Sequence, residues 1–336
     1  MLIDYANCTT YASNLSSPIT SNVSFNNSIT QCISESASVM WTFLIPSAIF
    51  SIVTLLVNPM ILVSILKKDT LRKETRYILL ANVMVSDLIF ILFNSIISTC
   101  NIIRWCLNKA VCSSMIVFTF AAYTSCVLTF TAMVVDTYIA ICFPLHYYSL
   151  LSMQRTRKIL LAIWIFSTLL PLVVFFISET LEGNFQEVQN VCLLLYHGPN
   201  QKKNNLVTVV CAIAIFFLLI CSVMIIYFYI KLYTMTRKSG IWVNRFSRAR
   251  ITLLTHSILL CLYIVPAFIL TAEIMMFKNR LIGMDARIWI SACNNGLMMM
   301  MPRALSPLLY GLRYRELSAT IKQWFTRNRV RTDSCR

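Results

Sequence analysis

WTFLIPSAIFSIVTLLVNPMILVSILKKDTLRKETR, residues 41–76, is an uncharged apolar run of 26 residues followed at once by a cluster of five basic ones. At 1.5 Å per residue, a helix of that length reaches about 39 Å, enough to cross the roughly 30 Å hydrocarbon core of a bilayer. No Lys or Arg precedes Leu66, and the first forty residues carry only Asp4 and Glu35 as charges. The positive-inside rule therefore places the N-terminus outside and the loop of Lys67, Lys68, Arg72, Lys73 and Arg76 in the cytoplasm. The polar head lacks an apolar core of the signal-peptide kind, so this first span reads as an uncleaved signal anchor.

Working outward, the same pattern repeats. Apolar spans fall near 41–66, 76–100, 110–142, 158–178, 206–233, 250–277 and 287–310. Seven spans with the N-terminus outside put the C-terminus in the cytoplasm. Of the 29 Lys and Arg residues, 21 fall in or at the edge of segments assigned inside and 7 in or at the edge of segments assigned outside, with Arg303 alone well inside a span. The chain of 336 residues is 58% hydrophobic and 12% charged, with a mean hydropathy of +0.71; a soluble domain carries about 25% charged residues. The composition thus predicts an all-α membrane protein, a seven-transmembrane helix bundle whose partner is the lipid bilayer. Its net charge of +16 is a topology signal and does not point to nucleic acid. The odd span count argues against a transporter of two equal halves, and no polar residues recur down one helix face as a channel would need.

Three units follow: an outer tail at 1–40, the helix domain at 41–310 and a cytoplasmic segment at 311–336. The tail carries four glycosylation tripeptides, at Asn7, Asn14, Asn22 and Asn26, and its polar composition predicts disorder. Beyond Arg313, Leu317, Ile321, Trp324 and Phe325 share one helical face, with Arg315, Lys322 and Arg327 interleaved. That pattern predicts a short amphipathic helix in the inner headgroup region. Most cysteines lie within spans as small packing residues. Cys112, at the outer end of the third span, and Cys192, in the second outer loop, face an oxidising compartment where a bridge persists. Cys8, Cys32, Cys100 and Cys106 are rival partners. No Cys/His spacing suits a metal, and no phosphate loop or hydrolase triad is present, so neither a cofactor nor an enzyme is expected.

Over residues 41–326 the chain resembles the rhodopsin-like (class A) G-protein-coupled receptors. The resemblance rests on Asn58, Leu80-Ala81 to Asp87, Trp105 seven residues before Cys112, and Asp136-Thr137-Tyr138 through Cys142 with Pro144-Leu145. It continues through Trp164, Cys192, Pro266 and Ser306-Pro307-Leu-Leu-Tyr310. Within the family, Ala140 to His146 and Pro302 to Arg313 are similar to odorant-type receptors and to orphan members. The resemblance implies a multi-pass plasma-membrane receptor that passes the binding of an extracellular small-molecule or peptide ligand to a heterotrimeric G protein. It also implies a Cys112–Cys192 bridge pinning the second outer loop over a ligand pocket. Phe118, Thr119, Ala122 and Tyr123 would line the third-helix wall of that pocket, and Glu273 the top of the sixth helix.

The departures from the family pattern are as informative. Thr137 replaces the Arg that restrains the inactive state and later meets the G protein, which keeps open a receptor-like scaffold that does not couple. Asp136 then lacks its adjacent partner; water, Arg155 or Arg157 are its expected substitutes. Ser306 stands for the usual Asn of the seventh span, Ile264 for a Trp before Pro266, and the fifth span has no Pro. Thr119 stands where amine receptors carry a carboxylate, so an odorant receptor for a small non-amine molecule is the alternative reading. Arg303 is costly at mid-membrane, about 2.5–3.5 kcal/mol on insertion scales, and needs a partner. The resemblance places it beside Asp87, where the family binds sodium. The expectation is a buried ion pair in the ion's place, against an Arg that merely faces water in the bundle.

Overall fold

The computed structural model of the protein describes residues 22–103, 107–182, 188–189, 201–238, 245–279 and 281–313. Asn7, Asn14, Cys192 and the expected interfacial helix beyond Arg313 lie outside them. Six long helices carry the first six spans: α1 (Asn22–Lys67), α2 (Thr75–Ile103), α3 (Lys109–Cys142), α4 (Met153–Glu182), α5 (Gln201–Lys238) and α6 (Arg245–Lys278). Each holds a stretch long and apolar enough to cross a membrane, from Ile45–Lys67 in α1 to Ser257–Lys278 in α6.

The seventh span, expected as one run over 287–310, is built in pieces. Helix α7 (Met284–Cys293) passes into a π-helical turn at Asn294–Met298 and then α8 (Met301–Arg313). Pro302 has no N–H to give to the preceding turn and its ring crowds that turn's carbonyls. The chain answers by widening, and the Met299 N–H reaches back five residues to the Asn294 carbonyl at 2.8 Å.

The tail also differs from expectation. Helical backbone begins at Asn22, so α1 takes in Asn22, Asn26 and the rest of the tail's second half. Neither Gly nor Pro occurs between Asn22 and Ile45, and nothing there stops a helix that the span has nucleated. At 46 residues α1 is about 69 Å long. Its first half therefore extends past the Ile45–Lys67 membrane stretch.

Helix α3 runs through the centre of the bundle and packs on α2, α4, α5 and α6, while α8 closes the ring against α1. The central core contains Ile61, Leu80, Met84, Val127, Phe130 and Leu259. Ile45, Leu56, Leu161, Phe216 and Val223 point outward, as side chains solvated by lipid should. A polar seam holds three helices together. Asn82 donates to Thr129 at 2.8 Å and to Ser125 at 3.4 Å, and accepts from Trp164 Nε1 at 2.9 Å. Trp164 therefore ties α4 to α2 across the face of α3.

Candidate functional site

The bundle places most of the expected residues in three groups: one at its centre, one at its inner end and one at its outer end. The central group is built on Asp87 of α2, which is fully buried at 0% exposure. The Tyr263 hydroxyl, from α6, lies 3.0 Å from each carboxylate oxygen. Cys126 Sγ of α3 approaches Oδ1 at 3.7 Å and Ser306 Oγ of α8 approaches Oδ2 at 3.5 Å. Arg303, 1% exposed and also on α8, brings Nε to 3.5 Å from Asp87 Oδ1. The structure thus brings the two expected partners together.

The contact is longer than the 2.7–2.9 Å of a good charge-assisted hydrogen bond, and Arg303 Nε and Nη2 make no hydrogen bond. Aromatic faces supply the rest of the stabilisation. The guanidinium carbon is 3.4 Å from the Phe90 ring centroid, 5.3 Å from that of Tyr263 and 5.5 Å from that of Tyr123. All three are within the roughly 6 Å over which a ring's quadrupole attracts a cation. The remaining Nη1 donates to the Met299 carbonyl, one turn back. The guanidinium is thus held by one carboxylate, one carbonyl and three rings. Sequence reading missed Phe90 and Tyr263; a lone tyrosine hydroxyl in an apolar span, which needs a buried partner, was the available signal for the second.

At the inner end, Asp136 is buried and accepts a 2.8 Å hydrogen bond from the Tyr147 hydroxyl in the second inner loop. This corrects the expected partners. Arg155 spends its guanidinium on the Ser149 and Leu150 carbonyls, at 2.6 and 3.2 Å, and Arg157 is exposed. Burial first, and then the neighbouring Asp136, push the Tyr147 phenol well above its ordinary range, so it remains a donor. Thr137 offers Asp136 nothing, because its hydroxyl bonds back to the Met133 carbonyl at 2.9 Å. Tyr138 packs its ring 5.1 Å from Phe228 of α5. Pro307 lies within α8, and Tyr310 is in the same helix.

At the outer end the expected pocket wall divides. Ala122 and Tyr123 belong to the buried core, with the Tyr123 hydroxyl donating to the Tyr263 carbonyl. Thr119 is buried and bonds back to the Met115 carbonyl at 2.8 Å. Phe118 is half-exposed and stacked on Phe93 of α2 at 5.0 Å. Glu273, expected at the top of the sixth helix, is 3% exposed and pairs with Arg287 of α7, Nε to Oε1 at 3.5 Å. Pro266, in α6, gives its carbonyl to Asn294 Nδ2 at 3.0 Å, a tie between the sixth helix and the π turn. Cys112 is disulfide-bonded, while Cys100 is free. Nearby, Leu107–Asn108 (β1) pairs antiparallel with Val188–Gln189 (β2), which brings the second outer loop alongside the start of α3.

Residues 57–310 match the model of the 7 transmembrane receptor (rhodopsin family). A Homo sapiens protein, probable G-protein coupled receptor 148, is 33% identical, with 85% of this chain and 83% of that protein aligned. Odorant receptor 131-2 of Danio rerio is 26% identical over 81% of this chain and 82% of its own length.

Proposed function

This chain belongs to the rhodopsin family of seven-transmembrane receptors, and on that premise we propose that it carries a signal from an extracellular ligand to a heterotrimeric G protein. Its N-terminus is extracellular and glycosylated, its C-terminus cytoplasmic, and the receptor works at the plasma membrane. The mechanism is a shift between two helix packings, one of which the ligand prefers. The observation that supports it is the buried cluster of Asp87, Cys126, Tyr263, Arg303 and Ser306, which joins α2, α3, α6 and α8 through one carboxylate. A displacement of α6 against α8 must either carry that cluster along or break it, and packed cores of this kind move between discrete arrangements.

The missing Arg at position 137 does not remove the inner restraint in this reading. Tyr147 takes over the task of holding Asp136, so the second inner loop, rather than the neighbouring residue, restrains the third helix. A bridge from Cys112 to Cys192 completes the outer architecture, supported by the strand pair that draws the two segments together. The stretch Ala140–His146 supports a narrower reading as an odorant-type receptor for a small molecule.

The test is G-protein activation in transfected cells, measured without ligand and across peptide and small-molecule libraries, with surface expression quantified. Activation of any G protein, basal or stimulated, is the expected result. Silence against every G-protein class at full surface expression would overturn coupling and leave a receptor-like scaffold.

A further inference from the structure

Among the described residues, α6 has one irregular point that two neighbouring helices and the π turn all reach. Pro266 has no N–H for the Leu262 carbonyl one turn before it, and its ring crowds that carbonyl. Helices bend at such a residue, and also where a side chain enters the ladder of backbone bonds. Both conditions meet here. The Tyr123 hydroxyl of α3 donates to the Tyr263 carbonyl, and the Ala267 N–H approaches the same hydroxyl oxygen. In a regular helix those two backbone groups, four residues apart, bond to each other. A side chain of α3 thus shares the backbone bond that crosses the proline.

The ties around Pro266 differ in what they hold. Tyr263 also gives its side-chain hydroxyl to Asp87 of α2, 3.0 Å from each carboxylate oxygen. Pro266 itself gives its carbonyl to Asn294 Nδ2 of the π turn at 3.0 Å. Neither of these reaches across the proline. The Tyr123 hydroxyl does, because Tyr263 and Ala267 belong to the two halves of α6. A bend at Pro266 moves those halves relative to each other, so the shared contact cannot survive it. The Tyr123 ring is anchored separately, with its centroid 5.5 Å from the Arg303 guanidinium carbon and 6.1 Å from the Phe90 ring. Removing the hydroxyl alone therefore opens the contact and leaves the packing in place.

We propose that Pro266 is a hinge in α6 and that Tyr123 is its latch, a positioning residue whose hydroxyl holds the two halves of the helix in one alignment. The inference rests on the reading of this chain as a receptor with two helix packings, and it names the bond that separates them.

The experiment uses the full-length receptor in lipid nanodiscs, with nitroxide labels at Gln154 on α4 and Arg250 on α6. The labels are carried on genetically encoded p-acetylphenylalanine, so the native cysteines are untouched. Pulsed electron resonance then gives the distribution of distances between the inner parts of the two helices. Without ligand, Tyr123→Phe should raise the population of a second distance about fivefold, the worth of one neutral hydrogen bond. Pro266→Ala restores the continuous ladder, and in that background Tyr123→Phe should change nothing. An equal rise in both backgrounds would mark Tyr123 as ordinary packing and overturn the hinge; no rise with Pro266 in place would overturn the latch. Amide hydrogen exchange needs no proline variant. The peptide over residues 262–270 should exchange about fivefold faster in Tyr123→Phe, by the same hydrogen-bond worth, while peptides of α2 keep the wild-type rate. Acceleration throughout the bundle, or none, would also overturn the proposal. Because helix position is read without signalling, a receptor that engages no G protein would still show the shift, so the two readings fail separately.

Discussion

Asp87 and Arg303 are each the condition for the other's burial. With Arg303 removed, Asp87 keeps only Tyr263, Cys126 and Ser306; with Asp87 removed, the guanidinium keeps one carbonyl and three rings. Breaking a buried pair from one side costs about 3–5 kcal/mol, whereas removing both charges costs much less. In a double-mutant cycle on thermal stability, Asp87→Asn and Arg303→Gln should each destabilise strongly, and the double variant should lose less than their sum. Strict additivity would show that the two charges do not interact. The guanidinium supplies the positive charge that a sodium ion would otherwise bring to Asp87, and signalling is expected not to depend on sodium. At the inner end, Tyr147→Phe removes a hydrogen bond to a carboxylate, a contact worth about 1.5–3 kcal/mol. If the bond is made only in the inactive packing, its loss raises the active fraction about tenfold or more. Thr137→Arg, which supplies Asp136 with a charged neighbour, should lower basal signalling in the Tyr147→Phe background. Unchanged basal activity in both variants, at equal surface expression, would show that Asp136 is not the switch.

Elements show how the ends of the bundle are fixed. The β1–β2 pair joins the segment before α3 to the second outer loop, with Leu107 opposite Gln189 and Asn108 opposite Val188. Cys112 follows β1 by four residues and Cys192 follows β2 by three in the sequence. Peptide mapping without reduction should recover Cys112 joined to Cys192; a peptide joining it to Cys8, Cys32 or Cys106 would refute the assignment. The broken seventh span has a different logic. A continuous helix through Asn294 and Pro302 would leave the Pro302 ring against the carbonyls of the turn before it. The π turn relieves that conflict, and the Asn294 side chain bonds the Pro266 carbonyl across the seam. The sixth helix, at Pro266, is thereby coupled to the π turn of the seventh span.

For the whole molecule, orientation is the property most open to a direct check. The basic residues and the sequons both predict an outside N-terminus. Removal of N-glycans should shift the gel mobility of the intact receptor, and replacement of Asn7, Asn14, Asn22 and Asn26 by Gln should abolish the shift. An N-terminal epitope that stains only permeabilised cells, on a receptor present at the surface, would overturn the topology. The number of spans was legible in the sequence, because it depends on local composition: about twenty apolar residues cross the bilayer wherever they stand. The Asp87–Arg303 pair was also within reach, since a mid-span arginine needs a partner and the family resemblance places Asp87 at its depth. What the sequence left undecided is which polar atoms meet across helices. Tyr263 reaches Asp87 from 176 residues away, Tyr147 takes Asp136 where Arg155 or Arg157 was expected, and Arg287 pairs with Glu273. Those choices belong to the tertiary structure, because they are set by how far each helix is rotated and where it crosses its neighbours. A single residue's shift along a helix turns a side chain by about 100°, and no local pattern fixes that angle.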